Sequence, residues 1–134
     1  MKSTFIIISF LSACFILGSC DKDAGLLPKI AFKTASGYVS SDITLAKGAA
    51  LKIGIDASKS EDKDVLKKFN ISKSVNGAAA TTVFTKDLSR TEGDNYTYDY
   101  SEILENAAQT NKYTFTVTNR DGLVGQVTLT VTIQ

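Results

Sequence analysis

The chain has 134 residues, with 15 basic and 14 acidic side chains, two cysteines, no histidine and no tryptophan. A net charge near zero, spread without a basic arm, gives no electrostatic basis for binding nucleic acid. The missing histidine removes His-based triads and His-ligated zinc, so no cofactor and no catalytic residue is expected.

The chain opens with "MKSTFIIISFLSACFILGSC". Lys2 precedes an almost unbroken apolar run from Phe5 to Leu17. That run is shorter than the about 20 residues a transmembrane helix needs, and it fits the apolar region of a secretory signal peptide spanning residues 1–19. Leu17-Gly18-Ser19-Cys20 at its end resembles the lipobox of bacterial lipoproteins: an aliphatic residue, two small residues and an obligatory cysteine. The resemblance implies cleavage before Cys20, a diacylglyceryl thioether on its sulfur and an acyl chain on its new amino group. The competing reading is a Cys14–Cys20 disulfide or a buried thiol. Cys14, however, lies inside the apolar run and leaves with it, so the mature chain holds one cysteine with no internal partner. One acyl chain holds a membrane only marginally, whereas two or three hold it firmly. Cys20 is therefore the expected lipidation site, and a membrane the expected partner.

Residues 20–28 form a short tether that ends at Pro28, the only proline. In enteric bacteria, an aspartate directly after the lipidated cysteine resembles a signal for inner-membrane retention. In other Gram-negative groups, an acidic cluster such as Asp21-Lys22-Asp23 resembles a tag for the cell surface. The style of this short precursor favours the outer membrane, with its surface and periplasmic faces both open. Removing residues 1–19 leaves 115 residues, with 14 basic against 14 acidic, enough for one domain with one core.

From residue 29 onward the pattern is strand-like alternation. "KIAFKT" sets Ile30 and Phe32 on one side, and "LKIGIDA" does the same for Leu51, Ile53, Ile55 and Ala57. "LKKFNISKSVNG" carries Phe69 and Ile71 inward and ends in Asn76-Gly77, a hairpin signal. "TTVFTKDL" and "NYTYDY" follow as further strands. "DYSEILENAAQ" breaks the pattern: Asp99 and Glu102 stand at capping-box spacing, with Ile103, Leu104, Ala107 and Ala108 on one helical face. The spacing predicts a helix of about two turns there. The last hairpin alternates Tyr113, Phe115 and Val117 against threonines, turns at Asp121-Gly122, and returns with Val127, Leu129, Val131 and Ile133. Such one-sided strands need a second sheet over their apolar face.

About seven strands with one short helix between late strands predict an all-β, two-sheet sandwich over residues 29–134. "NKYTFTVTNRDGLVGQVTLTVTI" is similar to the last hairpin of bacterial immunoglobulin-like domains of the PKD and cadherin-like kind. "LKIGIDASKSEDKDVLKKFNISKSVNG" resembles their second and third strands. Two departures stand out: Phe69 occupies a position where such domains often carry tryptophan, and no intersheet disulfide is possible.

Two groups of residues are candidate sites. Tyr96, Tyr98 and Tyr100 share one face of a strand and could form a ligand platform for sugar rings. The opposite face reads Asn95, Thr97, Asp99 and Ser101, all polar, which favours a core position for the tyrosines instead. Asp62 and Asp64, with Asp121 on the neighbouring hairpin turn, offer oxygens to Ca²⁺. Interleaved Lys59 and Lys63 and a spacing unlike an EF-hand favour a self-neutralised loop. Ser60-Glu61-Asp62-Lys63 matches a serine–lysine pattern of penicillin-recognising enzymes without its companion motifs, and is coincidental. The expected function is non-catalytic binding, adhesion or assembly at the cell envelope. The alternative is a carbohydrate-binding accessory of a glycan-uptake system, and a two-carboxylate glycosidase ranks last.

Overall fold

A computed structural model describes residues 24–134; residues 1–23, with the signal segment and Cys20, lie outside them. The alternating segments form eight strands: β1 Lys29–Phe32, β2 Ile43–Leu45, β3 Ala50–Ser58, β4 Leu66–Val75, β5 Thr81–Asp87, β6 Asn95–Ile103, β7 Gln109–Asn119 and β8 Val124–Ile133. They make two facing sheets, one ordered β1-β3-β6 and the other β2-β8-β7-β4-β5. Neighbours are antiparallel except β2, which crosses to the second sheet and runs parallel to β8. An opening segment shared between two Greek-key sheets is the arrangement of an immunoglobulin-like sandwich. All-β expectation and architecture agree, with eight strands where the sequence suggested about seven.

The expected helix over residues 101–109 does not form. β6 instead continues beside β3 through Ser101↔Lys52, Glu102↔Leu51 and Ile103↔Ala50. One local capping box cannot compete with a ladder already running for six residues, whose inward positions extend from Tyr100 to Glu102. The helical turn among the described residues lies elsewhere, a 3-10 turn at Arg90–Glu92.

The core is the inner faces of both sheets, and Phe69 is fully buried among them. Its ring lies 5.2 Å from Tyr96, 5.5 Å from Tyr98, 6.1 Å from Phe84 and 6.4 Å from Phe115, centroid to centroid. Aromatic packing at these separations adds to plain area burial. Both predicted hairpin turns form: Asn76 and Gly77 take φ of 51° and 75°, and Gly122 takes 83°.

Strand directions sort the loops into two ends. Lys29 pairs with Ser58 and Leu66 with Asn119, so the chain enters beside the 59–65 loop and the 120–123 turn. This near end also carries residues 88–94, because Asn95 too pairs with Ser58. The far end carries the 46–49, 76–80 and 104–108 connections and Gln134. Pro28 crosses so close to β8 that a Cβ on Gly125 would lie 2.3 Å from the Pro28 carbonyl oxygen. Glycine is required there to let the incoming chain lie flat. No helix among the described residues is long and apolar enough to cross a membrane.

Candidate functional site

At the near end, the carboxylates considered for Ca²⁺ do not converge. Asp64 is buried and turned inward, where it accepts hydrogen bonds from Asn119 Nδ2 and from the Val65 amide at 2.8 Å. Asn119 Oδ1 in turn accepts from the Asp121 and Leu123 amides at 3.1 and 2.7 Å, shaping the β7–β8 turn. Asp64 thus ties the 59–65 loop to the final hairpin. Asp62 and Asp121 are exposed, the latter 3.5 Å from Arg120. Among the described residues no group of three or more acidic or thiol side chains is placed to hold a metal.

The tyrosines of β6 face the core. Tyr96 is buried and Tyr98 and Tyr100 are half-buried. Tyr98 stacks on Phe84 at 4.5 Å, and Tyr100 packs against Tyr113 and Phe115 at 5.9 and 6.3 Å. Their ring faces are taken up inside the sandwich, so the ligand platform considered for Tyr96, Tyr98 and Tyr100 is corrected to a core element. The cause is the period-two pleat that sends Asn95, Thr97, Asp99 and Ser101 to solvent.

Two polar constellations that were not anticipated stand out. The first closes the far end between the sheets. The Tyr113 hydroxyl, fully buried, donates to Glu102, and the Tyr100 hydroxyl donates to the same carboxylate at 2.7 Å. Lys73 lies 3.2 Å from Glu102 and 2.5 Å from Glu105, while buried Asn111 donates to Glu105 at 3.0 Å. Burial opposes the charge of Lys73, but its hydrogen bonds to both carboxylates outweigh it and raise its pKa. Burial, then the Glu102 carboxylate, raises the pKa of both tyrosines. Glu102 and Glu105 meet on one ammonium instead of facing each other across a cleft, an arrangement suited to closing the sandwich.

The second lies on the outer face of the three-stranded sheet. Asp99 receives Lys33 and the Tyr38 hydroxyl, each at 2.7 Å, and Lys52 stands 3.5 Å away. The Lys33 hydrogen bond, then that of Tyr38, lowers the Asp99 pKa to about 2. Tyr38 lies across Gly54, and the cluster divides this face into two shallow depressions. The near one, about 480 Å³, is lined by Lys29, Ala31, Asp56 and Thr97 among others. The far one, about 520 Å³, lies between Val39, Lys52 and Ile103, and Ile103 is 69% exposed.

Glu102 and Lys73 could have been found by extending the alternation one step past Tyr100 and Ile71. Asn111 and Asn119 likewise bracket the inward series Tyr113, Phe115, Val117 on β7.

Fold and site together define an immunoglobulin-like β-sandwich with polar closures at both ends. No protein family and no curated protein matches the sequence. Among solved structures, it is similar to superoxide reductase (neelaredoxin) from Ignicoccus hospitalis, with 7% identity, a TM-score of 0.51 and 81% of each chain covered. It is also similar to the CARDB domain of a Pyrococcus furiosus protein, at 10% identity and a TM-score of 0.46, covering 78% of this chain and 95% of that one. A sporulation control protein from Bacillus subtilis follows at 8% identity and a TM-score of 0.47, covering 81% of this chain and 49% of that one. At 7% identity, the likeness to the superoxide reductase speaks to the fold alone.

Proposed function

We propose that the protein is a lipid-anchored, non-catalytic component of a bacterial cell envelope, its immunoglobulin-like domain held at the outer membrane for binding or assembly. The observation that carries this reading is how Leu17-Gly18-Ser19-Cys20 relates to the body. The sandwich takes in its chain at one end, only a few residues after the cysteine, so a lipid on Cys20 would keep that end beside the bilayer. The far end, with the 46–49, 76–80 and 104–108 connections, would be presented away from it. The depression beside Ile103, on the far half of the three-stranded sheet, is the surface best placed for a partner.

A non-catalytic role fits the pairing of the buried and half-buried titratable groups. Lys73 is paired with both Glu102 and Glu105, Asp64 is held by Asn119, and Asp99 is held by Lys33 and Tyr38. The glycan-uptake alternative drew on the tyrosines of β6, whose rings are spent on core packing.

The test is metabolic labelling with an alkyne palmitate in a host that processes lipoproteins. The wild-type chain is expected to take up label, lose residues 1–19 and sediment with outer membrane. Cys20→Ala is expected to remain unlabelled at full precursor mass. An unlabelled wild-type chain would refute the reading.

A further inference from the structure

Two adjacent leucines at the near end leave their side chains outside the core. Leu26 and Leu27 are 58% and 61% exposed, although they directly precede the buried Pro28. They are nonetheless fixed to the body. The Leu26 amide donates to Glu61 at 3.2 Å, and the Leu27 carbonyl accepts from Ser60 at 2.6 Å. Gly25, at φ +70°, turns the chain against Leu123, whose Cδ1 would be 3.0 Å from a Cβ placed there. Val124, next in sequence to Leu123, is a third exposed apolar side chain at this end.

We propose that Leu26 and Leu27 are a second membrane contact: an apolar foot that dips into the lipid interface and fixes the tilt of the sandwich. This rests on lipidation of Cys20. The occupant follows from the length of chain outside the body. Five residues separate Cys20 from Leu26, and an extended chain gives at most ~3.5 Å per residue. The leucines are thus confined within about two nanometres of the acylated sulfur, which gives a weak apolar contact a high effective concentration. Charge does not oppose the approach. Lys59 pairs with Asp94 at 2.8 Å, Arg120 with Asp121 at 3.5 Å and Lys63 with Glu61 at 3.9 Å, so the rim is close to neutral towards anionic lipid. A rigidly held apolar pair suits this role better than a free one, because its side chains are already ordered before contact.

The mature chain has no free thiol once Cys20 is acylated, so single cysteines can be labelled selectively. Leu26→Cys, Leu27→Cys and, as a far-end control, Ile103→Cys are each expressed with the native signal and purified as lipoproteins. An environment-sensitive fluorophore is attached, and the proteins are reconstituted into phosphatidylethanolamine–phosphatidylglycerol vesicles containing nitroxide lipids. All three replaced side chains are exposed, so the fold is retained. Vesicle flotation is recorded in parallel. The expected result is flotation with blue-shifted, strongly quenched emission at 26 and 27, at depths of about 5–10 Å below the headgroup boundary, and none at 103. Flotation with positions 26 and 27 no more quenched than 103 overturns the foot while leaving the anchor intact. Failure to float overturns the anchor and the foot together.

Discussion

Replacing Glu102 with alanine separates the observed fold from the helical alternative more sharply than any other single change. In the structure, Glu102 is the acceptor for two tyrosine hydroxyls and one of two carboxylates on Lys73. Removing it leaves the Tyr113 proton, fully buried, without an acceptor, and an unsatisfied buried donor costs about 1–3 kcal/mol. Tyr100 is half-buried and adds about 1 kcal/mol by the same principle. Lys73 keeps Glu105, which limits the electrostatic loss. The sum is about 3 kcal/mol, a large share of the ~5–15 kcal/mol that holds a typical domain together. It corresponds to a fall of about 10–20 °C in Tm. A solvent-exposed glutamate opening a helix would contribute only about 0.3–1 kcal/mol. Urea and thermal unfolding of Glu102→Ala measure the difference. A Tyr100→Phe/Tyr113→Phe background supplies the coupling, because with no hydroxyls left to orphan, the alanine should cost about 1 kcal/mol. A loss below about 1 kcal/mol in both backgrounds would show that the network does not carry the far end.

Two further outcomes follow from the other contacts. Asp99 titrates at about 2 in the folded protein, against an ordinary value of 3.8; the stability it confers is complete above the ordinary value and lost as pH falls through the folded one. Asp99→Asn should therefore flatten the decline of Tm between those two values, and an unchanged acid slope would exclude its role. Gly125→Ala puts a methyl group 2.3 Å from the Pro28 carbonyl, and such overpacking typically costs about 1–3 kcal/mol. Hydrogen exchange is expected to rise at residues 24–30 first; protection lost uniformly across the sandwich would place the strain elsewhere.

The strands were legible because half-buried sheets write their pleat into the sequence. β3, β7 and β8 alternate without interruption, and Asn76-Gly77 and Asp121-Gly122 turn where expected. The far-end site was hidden by the same code. An inward glutamate or lysine reads as a polar residue, and polarity at the end of an apolar series looks like the end of the strand. Glu102 also stands three residues after Asp99, the spacing of a capping box, so local and long-range signals disagreed. Pairing with β3 decides the matter, and no local window contains β3. For Asp64 the difficulty is different: three acidic residues, Glu61, Asp62 and Asp64, crowd the 59–65 loop, and only the folded approach of Asn119 distinguishes the one turned inward.

Strand parity links fold to orientation. β1 is antiparallel to β3, β3 to β6, and β7 to both β4 and β8, so the connections after β3, β5 and β7 lie at the near end and those after β2, β4 and β6 at the far end. The crossing between β1 and β2 sends β2 parallel to β8, which brings Leu45 beside Ile133 at the far end. The proposed lipid on Cys20 would therefore leave Gln134 on the side away from the membrane. The two closures differ accordingly. Near the tether, Asp64 and Asn119 lock two loops beneath a rim of neutralised charge and two exposed leucines. At the far end, Lys73 and Glu102 seal the gap between sheets from within, leaving Ile103 and the depression beside it as the apolar feature on that side. If the proposed anchoring holds, moving the lipid to the C-terminus would reverse these exposures while changing no contact in the core, so a partner gripping the Ile103 surface would lose access and one gripping the leucines would gain it.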